Sequence, residues 1–575
     1  MSNIVRYTVR FPEPRTHYAE IEAVYPTAGR PAVELFLPVW TPGSYLIREY
    51  ARHVENVRSN GVSLPKCRKN RWRAETGGAA EIRVTYRVYC HEMSVRTNWV
   101  EDGFALLCGA ATFITVADAP GLAYDVQLEL PAGWKASATG LDETGPHRYT
   151  APDYDTLVDS PIYAGSPEVY PFEVDGIPHC LVNEGEEGVW DGQRSALDVE
   201  RIVRRHRELW GSLPYRNKYV FLNMITEAGG GLEHRNSVCM MTSRWAMRSR
   251  RTYLNWLSLV SHEFFHAWNV KRLRPAELGP FNYETENPTT SLWFVEGITE
   301  YYGQLLVHRA GLSTREEYLE GCGSGAHDGL SGAIRTLQTT PGRLVMPIEQ
   351  ASYDAWIKLY RPDENTQNTS ISYYVKGAVI GWLLDARIRH ATGDAKSLDD
   401  LMRLAYSRFG GERGFTPGEI RAAAEQVAGV PLTEFFRHTL ESTGELDYSE
   451  ALEWFGLRFR PEPGSGKAWL GAHTKNEAGR LMVTRVPRGT PAYEGGLSAD
   501  DEIVAIGGFR VRADELAKRL ENYRPGERVS VLVARREKLM EIAVTPGAEP
   551  GNAWRLEADP RATAQQRMHL DQWLQ

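Results

Sequence analysis

His262, Glu263 and His266 stand together in Leu254–Val270, LNWLSLVSHEFFHAWNV. The run is apolar and holds neither Pro nor Gly, so it predicts a buried helix. Two histidines four residues apart on a helix share one face about a turn apart, and both imidazoles can then reach one metal ion. Glu263 between them projects beside that ion, where a carboxylate can take a proton from a water. The chemistry this would serve is hydrolysis of an unactivated bond such as an amide. A buried helix with merely hydrogen-bonded histidines would carry the same five residues, so a third ligand has to decide.

The extended metzincin pattern fails, because Asn269 replaces its Gly and Arg272 its third His. A second helical pattern follows at Ser291–Arg309, SLWFVEGITEYYGQLLVHR, with Glu296 and Glu300 on one face. Two acids in an aromatic, otherwise apolar helix are costly unless paired or metal-bound. Glu296 reads as the ligand and Glu300, one turn on, as the hydrogen-bond partner of a ligating histidine; the reverse assignment uses the same face. A His262–His266–Glu296 set leaves the fourth position of a single Zn²⁺ open to water, as in catalytic rather than structural sites.

Peptide hydrolysis also needs a donor for the tetrahedral oxyanion, and an exopeptidase needs an anchor for the free amine. Ser372–Gly377, SYYVKG, opens a helical run and offers a tyrosine hydroxyl, or else an aromatic core residue. In AGGGLEHRNS, Gly229–Gly231 would let a substrate backbone approach closely. Glu233 behind them is an amine anchor, or a surface acid after a Gly-rich turn.

The elements that must hold these groups can be read in outline. The chain has 575 residues, net charge −8 and 42% hydrophobic content, which suits several packed domains and disfavours bulk attraction to nucleic acid or anionic membranes. Residues 1–172 alternate with period two between Pro and Gly turns, which predicts an antiparallel β domain. Helical spacing dominates residues 173–450, broken by strand-like runs such as KYVFLNMIT. Residues 451–555 hold short strands and one helix, and residues 556–575 read as a C-terminal tail. The fold class is multidomain α+β. Phe104–Ala117, the longest uncharged apolar stretch, is too short to span a bilayer and predicts buried strands. The N-terminus shows no signal-peptide pattern, and Cys67, Cys90, Cys108, Cys180, Cys239 and Cys322 have no regular spacing, so a cytoplasmic chain without membrane or nucleic-acid partners is expected.

Together, PVWTPGSYLIREY (Pro38–Tyr50), GGGLEHRNS (Gly229–Ser237), SHEFFHAWNVKRLRP (Ser261–Pro275), LWFVEGITEYY (Leu292–Tyr302) and YYVKGA (Tyr373–Ala378) resemble the glycyl aminopeptidase family, PDZ-bearing zinc peptidases of the thermolysin-like clan. The resemblance implies a thermolysin-like, mainly helical catalytic domain, zinc on His262, His266 and Glu296, and Glu263 as general base. By similarity to the wider aminopeptidase N group it implies an amine-binding segment at Gly230, Gly231 and Glu233, and Tyr374 rather than Tyr373 as oxyanion donor. The activity implied is release of small N-terminal residues, glycine and alanine foremost.

Residues 455–550 resemble a PDZ domain, with Leu470, Gly471 and Ala472 where such domains bind a terminal carboxylate and ADELAKRLENY as the helix beside the groove. That implies protein or peptide C-termini as partners, besides the peptide substrates. Two alternatives remain open: a PDZ-directed zinc endopeptidase, and a non-catalytic PDZ adaptor. Arg272, in the basic stretch after the HExxH run, is a further candidate for holding a substrate carboxylate.

Overall fold

The computed structural model describes residues 3–321 and 328–575, so Cys322 lies outside the described residues. The backbone packs as two compact units: Met1–Asn287 with Tyr302–Ser313 and Met402–Thr416, and Pro288–Tyr301 with Thr314–Leu401 and Pro417–Gln575. No described helix is long and apolar enough to cross a membrane.

In the first unit the period-two alternation folds as expected. Ile4–Arg10, Tyr18–Pro26 and Glu81–Tyr89 bury every second side chain and pair within a seven-stranded sheet. One pairing is parallel, Ile4–Arg10 against Ala123–Glu129, because the long intervening chain allows a crossover. The apolar stretch Phe104–Ala117 is buried but forms strands only at Ala105–Leu107 and Thr115–Val116. Between them Gly109–Thr112 turns as a short helix, and Gly109 lies so close to the Leu157–Val158 backbone that no side chain fits.

A five-stranded sheet follows, in the order Glu168–Val174, Ile177–Glu184, Tyr219–Thr226, Ser237–Ser243, Gly230–Glu233. The strands Ile177–Glu184, Tyr219–Thr226 and Ser237–Ser243 run parallel, and the last two are buried on both faces. Gly230–Glu233 is the antiparallel edge strand. Helix Arg250–Phe265 packs on this sheet, anchored where Trp256 Nε1 donates to Asn223 Oδ1 at 3.1 Å.

The second unit is helical around Tyr373–Thr392, whose residues are nearly all buried. Ser449–Phe455 leads into strand Leu457–Glu462, which pairs antiparallel with Asn552–Ala558. The chain between these strands forms the PDZ sheet with its own core of Leu481, Ile503, Val531 and Val533. The PDZ module is therefore enclosed by a ribbon of the helical unit. Its flanking helix is shorter than the sequence suggests, Leu516–Leu520 only. The last residues, read as a tail, form the helix Ala564–Leu574, which opens with a Thr563/Gln566 capping box and buries Leu570, Trp573 and Leu574.

Candidate active site

Helix Arg250–Phe265 starts at Ser249, whose side chain caps Thr252 N, and its last turn carries His262 and Glu263. His266 is the residue after the helix rather than inside it, at φ −62° and ψ −18°, so local geometry stays helical and the one-face argument survives. His262, Glu263 and His266 are all buried. The Nε2 atoms of His262 and His266 face each other at 3.2 Å. His266 Nδ1 lies 2.7 Å from Asn269 O, which fixes the proton on Nδ1 and leaves Nε2 as a lone-pair donor. Asn269 thus has a defined part in the site that the sequence pattern did not assign. The helix Ile298–Arg309 passes His262 closely at Gly303, where an added Cβ would stand 3.1 Å from the histidine Cβ.

Glu296 lies in a π-helical turn, Trp293–Gly297, that precedes Ile298–Arg309. Such turns concentrate at functional sites because they re-aim a side chain. Ligand atoms of His262, His266 and Glu296 all lie within 4.8 Å of one another. The set fits zinc: borderline nitrogen and oxygen donors, three in number, with a His–His separation close to the edge of roughly 3.3 Å expected of a tetrahedron with 2.0–2.1 Å bonds. Glu300, one turn on, is also buried.

Glu233 ends the edge strand, and its neighbours Gly230 and Gly231 have separate reasons to be glycine. Gly230 sits at φ +118°, while Gly231 lies against the Glu263 carboxylate with no space for a side chain. A Cβ on Gly229 would meet open space. The Glu233 carboxylate is 3% exposed, its Oε1 accepts no hydrogen bond among the described residues, and one of its oxygens lies within 4.8 Å of ligand atoms of Glu263 and His266. It is therefore a buried carboxylate beside His266, not a surface acid.

Its partner is Lys271, with Nζ 3.9 Å from Glu233 Oε1 and 2.7 Å from Asp159 Oδ1. Burial alone would raise the Asp159 carboxyl, but Lys271 and His234 override it and hold the group well below the usual range. Asp159 also accepts from Arg235 N at 2.8 Å and faces His234 Nδ1 at 3.1 Å, so it organises the turn after Glu233. Nothing in the sequence singled out Asp159, since an acid in TLVDSP has no periodic or motif context. A cavity of about 420 Å³ borders Glu233, walled by Trp40, Gly43, Tyr45 and Lys271 among others. Gly43 of the PVWTPGSYLIREY loop packs on the Glu233 carboxylate: a Cβ there would stand 2.6 Å from Oε1.

Arg272 does not reach a substrate. Its guanidinium is buried, lowered to about 10 by desolvation, and donates to Ala267 O at 2.7 Å, Arg235 O at 2.9 Å and Asn236 Oδ1 at 3.0 Å. It ties the end of the HExxH segment to the strand turn behind Glu233, which corrects the reading of Arg272 as a carboxylate binder.

Tyr374 stands in the first turn of Tyr373–Thr392, capped by Ser372, with its ring partly exposed; Tyr373 is fully buried. Burial and the nearby Glu296 carboxylate raise the Tyr374 hydroxyl well above the phenol range, so it stays a proton donor. Its Oη lies 3.5 Å from that of Tyr360. In the PDZ module, Leu470 is buried with its carbonyl accepting from Ala492 N at 2.8 Å, Gly471 has φ +79° against Thr490, and Ala472 leads into the edge strand His473–Glu477.

Three family models match the chain. Residues 6–166 match the Peptidase M61 N-terminal domain, 255–380 the M61 glycyl aminopeptidase domain and 468–545 a PDZ domain. A solved aminopeptidase N family protein from Idiomarina loihiensis is 28% identical and superimposes with a TM-score of 0.91 over 99% of this chain and 100% of that one. An M1 zinc metallopeptidase from Deinococcus radiodurans is 14% identical over 77% of this chain and 94% of its own, with a TM-score of 0.48. A curated protein of Brucella suis, "Probable periplasmic serine endoprotease DegP-like", is 33% identical over 100 residues, 17% of this chain. The chain spans about a fifth (19%) of the length of that relative.

Proposed function

The chain belongs to the M61 glycyl aminopeptidase family of zinc metallopeptidases, and from that premise we propose that it removes small N-terminal residues, glycine and alanine foremost, from peptides. The observation that carries the exopeptidase reading is the buried Glu233 carboxylate next to Glu263 and His266. Lys271 Nζ stands 3.9 Å from that carboxylate and 2.7 Å from Asp159, so Glu233 keeps acceptor capacity for a second cation, and the α-ammonium of a peptide N-terminus is a cation on the carbon next to the scissile carbonyl.

His262, His266 and Glu296 would hold one zinc ion, which when bound polarises the scissile carbonyl and acidifies a water. Glu263 would orient the attacking water, take its proton and pass it to the leaving amine. The Tyr374 hydroxyl donates to the oxyanion of the tetrahedral state. Glu233 holds the substrate amine, and Lys271, itself paired with Asp159, borders the Glu233 carboxylate. Gly231 leaves room for the Glu263 carboxylate itself. The PDZ edge strand His473–Glu477 and the Leu470–Ala472 loop would take C-terminal peptides.

A second reading, a zinc endopeptidase, is favoured by one feature: the cavity of about 420 Å³ that borders Glu233 is more room than an N-terminal glycine fills. Hydrolysis of glycyl- and alanyl-p-nitroanilide against their N-acetylated forms separates the two. Cleavage of the free-amine substrates alone, lost on chelation and restored by zinc, is expected; equal cleavage of the blocked forms would establish the endopeptidase.

A further inference from the structure

We infer that the C-terminal helix Ala564–Leu574, which follows the PDZ module in sequence, is part of the catalytic scaffold, and that Trp573 is a positioning residue for Glu296 and Tyr374. The inference rests on the proposed roles of those two residues.

Glu296 and Tyr374 lie on two segments that touch directly. Gly297 packs on Gly377, where a Cβ on Gly297 would stand 2.5 Å from the Gly377 Cα and one on Gly377 would stand 2.7 Å from Trp293 O. A single close contact between two helices sets their distance but leaves a pivot. The second contact removes it: Tyr301 Oη donates to Asp385 Oδ2 at 2.8 Å, further along both segments. Asp385 is itself fixed, accepting from Arg389 Nε at 3.0 Å and Leu398 N at 2.9 Å through Oδ1. With two pins, the Glu296 carboxylate and the Tyr374 hydroxyl hold one separation and one relative rotation.

The last helix holds the second pin. Trp573 Nε1 donates to Tyr301 Oη at 2.7 Å, orienting the hydroxyl so that its proton points at Asp385. Trp573 and Asp385 are fully buried and Tyr301 is nearly so. Around the indole, Phe455 stacks at 4.5 Å between centroids and Tyr318 meets it edge-on at 5.7 Å. Such a relay has few ways to relax in a close-packed interior, so losing the indole N–H is felt at the hydroxyl it orients.

The test uses the full-length protein. Trp573→Phe keeps an aromatic ring and removes the N–H; Tyr301→Phe removes the hydroxyl alone. Each is expected to weaken zinc binding, measured by chelator competition, about tenfold and to lower kcat severalfold with KM within twofold. The double variant should lose no more than the worse single one, because both remove the same relay. Thr563→Ala, which breaks the capping box of the same helix without touching the relay, controls for stability: it should lower the unfolding midpoint yet leave zinc affinity unchanged. Zinc affinity and kcat within twofold of the parent in both folded relay variants would overturn the inference, as would an equal loss of affinity in Thr563→Ala. Glu296→Gln is measured alongside. Full zinc affinity in that variant would mean that the ligand assignment, rather than the relay, has failed.

Discussion

Gly231 and Glu263 lie so close that any side chain on the glycine would occupy the position of the carboxylate. Glu263, the proposed general base, and the edge strand beside it are therefore fitted to each other through a missing methyl group. Gly231→Ala is expected to lower kcat by about 100-fold or more, the scale at which misplacing a reacting group acts, while zinc content stays at one per chain. Measuring both on the purified variant checks it; a kcat near the parent's would show that Glu263 has another place to stand.

Glu263→Gln keeps the size of the side chain and removes its basicity. The expected loss in kcat is at least about 10³-fold, with zinc retained, since the ligand set is untouched. Undiminished turnover of glycyl-p-nitroanilide would remove Glu263 from the mechanism.

Glu233→Gln should raise KM for free-amine substrates by about tenfold or more and leave any residual action on N-acetylated ones unchanged. Asp159→Asn should move the same ratio by a smaller factor, because it acts through Lys271, 2.7 Å away. A uniform loss on both substrate classes would assign Glu233 to scaffolding.

For Tyr374→Phe the loss belongs in kcat, by about 10²-fold, with KM nearly constant, because the hydroxyl meets charge that exists only in the transition state. A matching rise in KM with kcat preserved would instead make it a ground-state contact.

Acid stability has a visible contributor away from the site. His179 is buried, with Nδ1 2.9 Å from Ile177 O and Nε2 2.8 Å from the Tyr215 hydroxyl, a pairing that satisfies the neutral ring; burial lowers it to about 4. Between pH 6.5 and 4 the unfolded chain then binds the extra proton. Stability from this group is complete above pH 6.5 and falls as pH approaches 4, by up to about 3 kcal/mol. Urea midpoints at pH 7 and 4.5 should differ less in His179→Gln than in the parent.

The sequence made the histidine pair legible because helical spacing puts His262 and His266, the proposed metal ligands, on one face whatever the tertiary fold. It also made the N-terminal sheet legible, because alternation in strands such as Glu81–Tyr89 survives into the buried pattern. What it could not carry were contacts between residues distant in the chain. Asp159 reaches Lys271 and Gly43 reaches Glu233 only once the sheets have folded, and no local period marks either. Arg272 misled for the opposite reason: an arginine in a basic run looks free to hold a substrate carboxylate until its backbone acceptors are seen. The C-terminal helix is polar enough to read as a tail, since its burial rests on a few side chains, chiefly Trp573.

The ribbon that encloses the PDZ module pairs Glu462 with Asn552, so the chain leaves and re-enters the helical unit at one point. In chain terms the whole module is an elaborated hairpin loop. A loop whose ends already meet can be shortened to a turn, exchanged for another module, or melted on its own without lengthening any path through the helices on either side. The module can therefore be varied while the last helix stays seated on the scaffold, so long as Val486 O and Arg488 N keep their hydrogen bonds to Asn368.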